Sequence, residues 1–397
     1  MQPILENMNL SDRVNSIQAS QSLQMASRAK QMQSAGIDVI SMSLGEPDFD
    51  TPEHIRRAAQ EAIDRHWSHY GPVAGIPSLR EAISRQQSAI SRQPSVIDYT
   101  GADVIVSVGA KMAIYNAIQT VVNPGDEVII PMPSWVSYTE MVKLAQGTVV
   151  AVLTRFEDNY CLTPEQLQSV ITPRTRMLIL CSPNNPTGSV YSAEQLDALV
   201  AVLREHPQIV ILSDEIYNQL VYDRPAVSLA SYAELAQRLI IVNGVSKSYA
   251  MTGYRIGWLL CKNADFIAAC TRLQGQQITC ATMVAQKAAE AALTGDQTCV
   301  QTMREIFAER RELICRLAAQ IPGFRFTEPQ GAFYLFPDVS AIGTGDEVVE
   351  LLLEKAHVAC VSGSAFGCPE CIRLSYAIST DLIIEALRRI SVFLASK

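Results

Sequence analysis

From Val104 to Cys261, short β-branched runs alternate with longer amphipathic stretches. The runs predict strands at residues 104–108, 127–130, 149–153, 177–180, 209–212, 239–242 and 256–260. The stretches between them predict helices, among them 112–122, 138–145 and 193–204. Short apolar strands separated by helices are the pattern of a parallel or mostly parallel sheet covered on both faces. Ligands of such sheets sit at the carboxyl ends of the strands, in the loops that follow. The chemically unusual residues of this chain fall in those loops.

Beyond Cys261 the spacing turns helical, with helices predicted over 266–273, 283–293 and 303–319. Pro322-Gly323 breaks the chain, and a new set of strands and helices is predicted at 333–336, 348–356, 358–361, 372–376 and 382–394. The expected class is α/β: a three-layer large domain with a mostly parallel seven-stranded sheet over residues 50–320, and a smaller α+β domain over 321–397. Residues 1–49 are too few to fold alone. They are expected to pack with the small domain, which is then formed from both termini, or with a partner subunit.

The 397 residues carry 32 basic and 40 acidic side chains, a net charge of −8, and 48% hydrophobic positions. One core rarely grows past ~250–300 residues, in keeping with two domains, and the hydrophobic fraction is far above that of a disordered chain. With no run of Lys and Arg to neutralise phosphates, nucleic acid is not an expected partner. No apolar stretch nears the ~20 residues that span a bilayer, and residues 1–15 are polar, so the expected setting is the cytoplasm, with no membrane. Ten cysteines are scattered through apolar segments, where a thiol behaves as a small hydrophobe. The one suggestive pair, Cys368-Pro-Glu-Cys371, lacks the further ligands of a zinc site, and no metal is expected.

Eight lysines stand against 24 arginines, and one of them, Lys247, lies in Gly244-Val-Ser-Lys-Ser-Tyr249, directly after a predicted strand. An amine there can reach into a pocket and form a Schiff base with a carbonyl cofactor; a plain surface lysine is the competing reading. Asp214, at the end of another strand, could ion-pair with a pyridine nitrogen or cap a helix. Tyr217 shares its face if the turn between them is helical, and could hydrogen-bond a ring oxygen. In Ser182-Pro-Asn-Asn-Pro-Thr-Gly188, Asn185 offers an amide to the same oxygen or to a carboxylate, although a tight turn would use these residues too.

Gly109-Ala-Lys111 joins a strand to a helix, and the small Gly109 and Ala110 leave amides open to a phosphate. Lys111 opposes the helix dipole and is expected to face a phosphate or a substrate carboxylate. Arg255 and Arg373 sit beside apolar strands, where each needs an anion or an internal ion pair. Trp135 could stack on a planar ring or merely pack.

Six blocks in order now tie these residues together: Ser43-Leu-Gly-Glu-Pro-Asp-Phe49, Tyr70-Gly-Pro-Val-Ala-Gly-Ile-Pro77, Ser182-Pro-Asn-Asn-Pro-Thr-Gly188, Ser213-Asp-Glu-Ile-Tyr217, Ser246-Lys-Ser-Tyr-Ala-Met-Thr-Gly-Tyr-Arg255 and Arg373-Leu-Ser-Tyr-Ala377. From about Ser11 onward the chain resembles the class I aminotransferases of the fold-type I pyridoxal-phosphate superfamily. The likeness is nearest to bacterial aspartate aminotransferases of the thermophile-like subgroup, some of which also use prephenate. The resemblance implies Lys247 as the Schiff-base lysine and proton carrier, Asp214 as partner of the pyridine nitrogen, and Asn185 and Tyr217 as donors to the phenolic oxygen. It implies a phosphate clamp of Arg255 with the amides of Ala110 and Lys111, and Tyr70 reaching the phosphate of the neighbouring subunit in a homodimer with shared active sites.

By the same resemblance, Arg373 anchors the substrate α-carboxylate beside Gly45 and Trp135, and Lys111 with Ser20 and Ser22 receives a side-chain carboxylate. Ser22 stands where a threonine is usual. Gly244 departs from members with a phosphate-binding serine at that position, leaving Ser246 as a substitute. Gln274-Gly-Gln-Gln-Ile-Thr-Cys280 lacks the arginine of another subgroup. The expected activity is transamination between L-aspartate and 2-oxoglutarate, in a ping-pong cycle on pyridoxal 5'-phosphate. Prephenate amination, a β-lyase on the same cofactor and a non-enzymatic regulator on the same fold are the alternatives.

Overall fold

Alternation within the apolar runs sends Val104, Val106, Leu178, Ile211 and Ile241 to one side of a sheet, and Ile105, Met177, Ile179, Leu212 and Val242 to the other. Both sides are covered, so the strands lie between two apolar layers. In the computed structural model, which describes residues 10–90 and 97–395, one seven-stranded sheet is formed. Its order is Val104–Val108, Ile256–Leu260, Leu239–Gly244, Val210–Asp214, Thr175–Cys181, Glu127–Met132, Thr148–Leu153. All pairings are parallel except those of Ile256–Leu260, which runs against both neighbours. The mostly parallel sheet expected from the pattern is therefore present.

That single reversal matters for the site. The parallel strands end at one edge, and the antiparallel strand begins there, so Arg255 reaches this edge by preceding its strand rather than following it. Arg255 itself has φ 58°, which aims the chain back into the sheet.

Local chemistry sets the helices. Ala193–Arg204 starts on Ser192, whose side chain accepts from Gln195 N while Gln195 caps in return. The same box, Thr163 with Gln166, starts Pro164–Val170, a helix that the apolar spacing alone did not reveal. Gly109–Val121 begins three residues before the predicted 112, because Gly109 adopts φ +76° and turns the strand straight into the helix.

A second core joins Met25, Ala29, Val39, Ile40 and Met42 near the amino terminus to Phe333, Leu353, Val358, Ile372 and Ile390 near the other end. The small domain is thus built from both termini. The predicted strand 358–361 is in fact two: Val358–Ala359 pairs with Ile40–Ser41, and Val361–Ser362 pairs with Ile372–Ser375. The predicted helix 348–356 is the helix Gly345–Leu351 followed by a wider turn, Leu352–Ala356. Thr298–Ala318 bridges the cores, entering the first at Val300 and the second from Met303 onward. Among the described residues no helix is long and apolar enough to cross a membrane. Of the polar stretch 1–15, the first nine residues lie outside the described ones.

Candidate active site

The carboxyl edge of the sheet meets the small domain at a cleft of about 350 Å³. Five loops and helix starts of the sheet feed it with Ala110, Lys111, Trp135, Asn185, Asp214, Tyr217 and Lys247, and Arg255 enters from the antiparallel strand. Gly45, Ser20 and Ser22 come from the amino-terminal segment, and Arg373 and Tyr334 from the small domain. Tyr70 is the one predicted site residue that does not line the cleft; it is 88% exposed.

Lys247 lies three residues past the strand Leu239–Gly244, and its Nζ donates to Gly45 O at 2.5 Å. Burial pushes its amine down to about 8 against the pull of Glu46, with the cations Arg373 and Arg255 adding to the fall. Asp214 shows the opposite displacement. It is buried, and loss of water raises its carboxyl to about 6 even though Tyr138, Ile216 N and Lys247 favour the charged form. Tyr138 Oη donates to Asp214 Oδ2 at 2.6 Å, and Ile216 N donates to Oδ1 at 3.1 Å.

The second of these bonds corrects a sequence reading. Residues 216–219 form a turn rather than a helix, so Asp214 neither caps a helix nor shares a helical face with Tyr217. Both line the cleft nonetheless. The Tyr217 hydroxyl pairs with that of Tyr334 at 2.8 Å.

Arg373 is buried, yet it makes no ion pair among the described residues. Its Nη1 donates to Asn185 Oδ1 at 2.9 Å and its Nη2 to Ser43 O at 2.7 Å, while Tyr334 and Phe366 stack 4.5 and 4.9 Å from Cζ. Its Nε has no partner among the described residues, leaving a buried donor for an anion. Arg255 likewise has, among the described residues, only Thr252 O as a hydrogen-bond partner, at 2.8 Å. A Cβ on Gly109 would lie 2.5 Å from Arg255 Nη2, and one on Gly257 would overlap the amide of Ala110. Glycine at both positions therefore keeps open a cradle of Arg255 and the first-turn amides. Gly244 packs closely on the antiparallel strand, where a Cβ would meet Gly257 Cα at 3.0 Å.

Lys111 Nζ rests 4.8 Å over the ring of Trp135, and burial, reinforced by Arg255, pushes its amine down. Ser20 caps the helix Gln21–Ser34 without using its side chain, so its hydroxyl remains available to the cleft. Tyr138 and Tyr334 are the functional neighbours that sequence reading missed. Spacing gives some signal for Tyr138, one helical turn from Trp135, with which it packs edge to face at 5.3 Å.

The cysteine pair stands apart. Cys368 and Cys371 are both free, and among the described residues no group of three or more His, Cys, Asp or Glu is placed to hold a metal ion.

Comparison with known proteins converges on one family. The family described as "Aminotransferase class I and II" matches residues 37–390. An aspartate aminotransferase of Geobacillus stearothermophilus is 45% identical over 98% of this chain and 100% of its own length. An aspartate/prephenate aminotransferase of Cereibacter sphaeroides is 42% identical over 97% of this chain and 98% of its own. Among solved structures, the aspartate aminotransferase of Thermus thermophilus with maleate superposes with a TM-score of 0.93 at 38% identity, covering 98% of this chain and all of that one.

Proposed function

The chain belongs to the class I and II aminotransferase family, and from that premise we propose that it moves an amino group from L-aspartate to 2-oxoglutarate with pyridoxal 5'-phosphate. The observation that carries the reading is a single cleft that holds a buried amine driven towards neutrality, a buried carboxylate, and two guanidinium groups without an acidic partner. The donor set fits the cofactor: Arg255 with the amides of Ala110 and Lys111 would hold its phosphate, Asp214 its ring nitrogen, Asn185 and Tyr217 its phenolic oxygen, and Trp135 its face. When bound, the cofactor supplies a carbonyl for amine exchange and a sink for the electron pair of the substrate α-carbon.

The protein's own groups do the rest. Lys247, its amine lowered to about 8, would provide the amine for exchange at the carbonyl and carry the α-proton as a base. Arg373 holds the substrate α-carboxylate through its free Nε beside the fixed Nη2, with Gly45 leaving room because a side chain there would strike the Tyr334 hydroxyl. Lys111, Ser20 and Ser22 receive the second carboxylate. Holding both ends fixes the α-carbon against Lys247.

Two structural assignments accompany this reading. Tyr70, exposed and away from its own cleft, supports a homodimer in which it completes the phosphate site of the other subunit. The bridging helix Thr298–Ala318 supports a boundary between the domains within that helix rather than at 320. Ten unpaired cysteines fit work in a reducing cytoplasm.

A second substrate is favoured by the rim of the cleft, where Leu23 and Leu44 are 64% and 42% exposed. Apolar side chains at the mouth suit the ring of prephenate, which also carries two carboxylates. A panel of keto acids with aspartate or glutamate as donor ranks the acceptors. Lys247→Ala is expected to abolish transamination in the same assay; normal turnover in that variant would overturn the reading.

A further inference from the structure

Cys368 and Cys371 take no part in the steps above. Cys371 N donates to Cys368 O at 3.1 Å, closing a turn in which the two Sγ atoms lie 3.4 Å apart. Such a turn keeps its end Cα atoms within ~7 Å, close to the span a disulfide accepts. The turn is tied to the segment Gly363–Phe366, with Gly363 N donating to Cys371 O at 2.7 Å and Cys368 N to Gly363 O at 2.9 Å. A Cβ on Gly363 would overlap the carbonyl oxygens of both cysteines, so the contact has no slack. At the other end of that segment the Phe366 ring stacks 4.9 Å from Arg373 Cζ, and Arg373 follows Cys371 by two residues in the chain. Any tightening of the turn is therefore passed to Arg373 by two routes.

We propose that Cys368 and Cys371 form a reversible dithiol–disulfide site whose closure shifts Arg373 and weakens the binding of carboxylate substrates. The affinity effect rests on the reading of Arg373 as the carboxylate anchor. Cys368 is the partly exposed member and Cys371 the buried one, which sets the order of events. The Cys368 thiol gives its proton to solvent and attacks one sulfur of a disulfide oxidant. A Cys368–oxidant S–S bond forms, the oxidant's own S–S bond breaks, and its first half leaves as a thiol. Cys371 then loses its proton and attacks Cys368 Sγ, which closes the intrachain bond and releases the second thiol. Two protein thiols are oxidised, and one disulfide is reduced to two thiols. The contact with Cys371, and burial after it, push the Cys368 thiol up, so the exchange quickens as the solution becomes more alkaline.

The test is made on the cofactor-loaded enzyme with glutathione disulfide at about pH 9.5, above the ordinary thiol pKa of about 8.5 because the Cys368 thiol is pushed up. Peptide mass mapping reads the bridge as the loss of two hydrogens between Cys368 and Cys371, and a reductant reverses it. KM and kcat for aspartate are measured on the same samples, with Cys368→Ser as the variant that cannot close the bridge. The expected result is a 368–371 bridge and a rise in KM of roughly tenfold, the effect of weakening one charge-assisted hydrogen bond. The change in kcat should be smaller, and Cys368→Ser should show neither the bridge nor the rise. Failure of the bridge to form overturns the proposal, and so does a KM that is the same in bridged wild type and in Cys368→Ser. Arg373→Lys in reduced enzyme separates the two readings. An unchanged KM there overturns the anchor and with it the affinity effect, whereas bridge formation reports the disulfide site by itself.

Discussion

Asp214→Asn should make the cofactor-free protein more stable and the cofactor-loaded enzyme worse. The carboxyl rises from an ordinary 3.8 to about 6 on folding because burial penalises its charge. Roughly two pKa units correspond to about 3 kcal/mol of stability absent at neutral pH. The folded protein binds this proton more tightly than the unfolded chain does, so stability falls as pH rises from about 4 to about 6 and stays reduced above that. Asparagine keeps the shape and removes the charge. Its oxygen can still accept from Ile216 N, while the Tyr138 hydroxyl must turn to accept from the new amide, at a cost of about 1 kcal/mol. The net gain at pH 7 is then about 2 kcal/mol, or a few degrees in Tm.

Thermal unfolding of cofactor-free wild type and variant between pH 4 and pH 10 measures this gain. Lys247 serves as an internal control, because its amine falls from 10.5 to about 8 on folding. For Lys247 the unfolded chain binds the proton more tightly, so stability rises between about pH 8 and 10.5 in both proteins. Cofactor affinity should move the other way, weakening about 10- to 100-fold with loss of one charge-assisted hydrogen bond. A variant no more stable than wild type at pH 7, or one that keeps the slope between pH 4 and 6, would refute the reasoning.

Arg373→Lys keeps a positive charge but loses the planar fork, so kcat/KM should fall about 10- to 100-fold for every amino-acid donor, measured in a coupled assay. Lys111→Met should lower kcat/KM by a similar factor for aspartate and glutamate while leaving alanine turnover nearly unchanged, because only the second carboxylate loses its cation. Gly109→Ala places a Cβ 2.5 Å from Arg255 Nη2 at a backbone angle of +76°. It should cost about 1–3 kcal/mol in Tm measurements and weaken cofactor binding in a fluorescence titration.

The strands 104–108 and 256–260 were legible to the residue because the first is a β-branched run that stops at Gly109 and the second an apolar run that starts directly after Arg255. Their directions were not legible, since alternation is the same for a parallel and an antiparallel strand. The antiparallel course of 256–260 is what brings Arg255, which precedes its strand, to the same edge as the loops that follow the parallel strands. The helix Glu53–Asp64 escaped notice because its buried contacts, Ile55 and Ala62, are few among polar neighbours. The candidate site was legible wherever a residue's own segment carried the signal, as in the loops of Lys247 and Asn185 and at Arg373, a cation inside an apolar strand. Tyr138 and Tyr334 were missed for a different reason: their partners Asp214 and Tyr217 lie 76 and 117 positions away, and the spacing of Tyr138 from Trp135 reports their packing but not the bond to Asp214.

The cleft also resolves an apparent conflict between the chain's charge and its proposed ligands. A protein of net charge −8 should repel a dicarboxylate and a phosphate. At ~0.15 M salt the repulsion of distant surface charges is screened beyond ~8 Å, so the local set decides. That set is Lys111, Lys247, Arg255 and Arg373 against Asp214 among the residues lining the cleft, four cations to one acid. Burying them together is unfavourable in the absence of anions, which is why Lys247 and Lys111 are pushed down by burial and by the neighbouring arginines. Each anion that enters relieves part of that repulsion and favours the charged form of the amines that remain. Under the proposed function, phosphate and carboxylate binding would be coupled through charge, and the burial that lowers the Lys247 amine would fit it to act as a base.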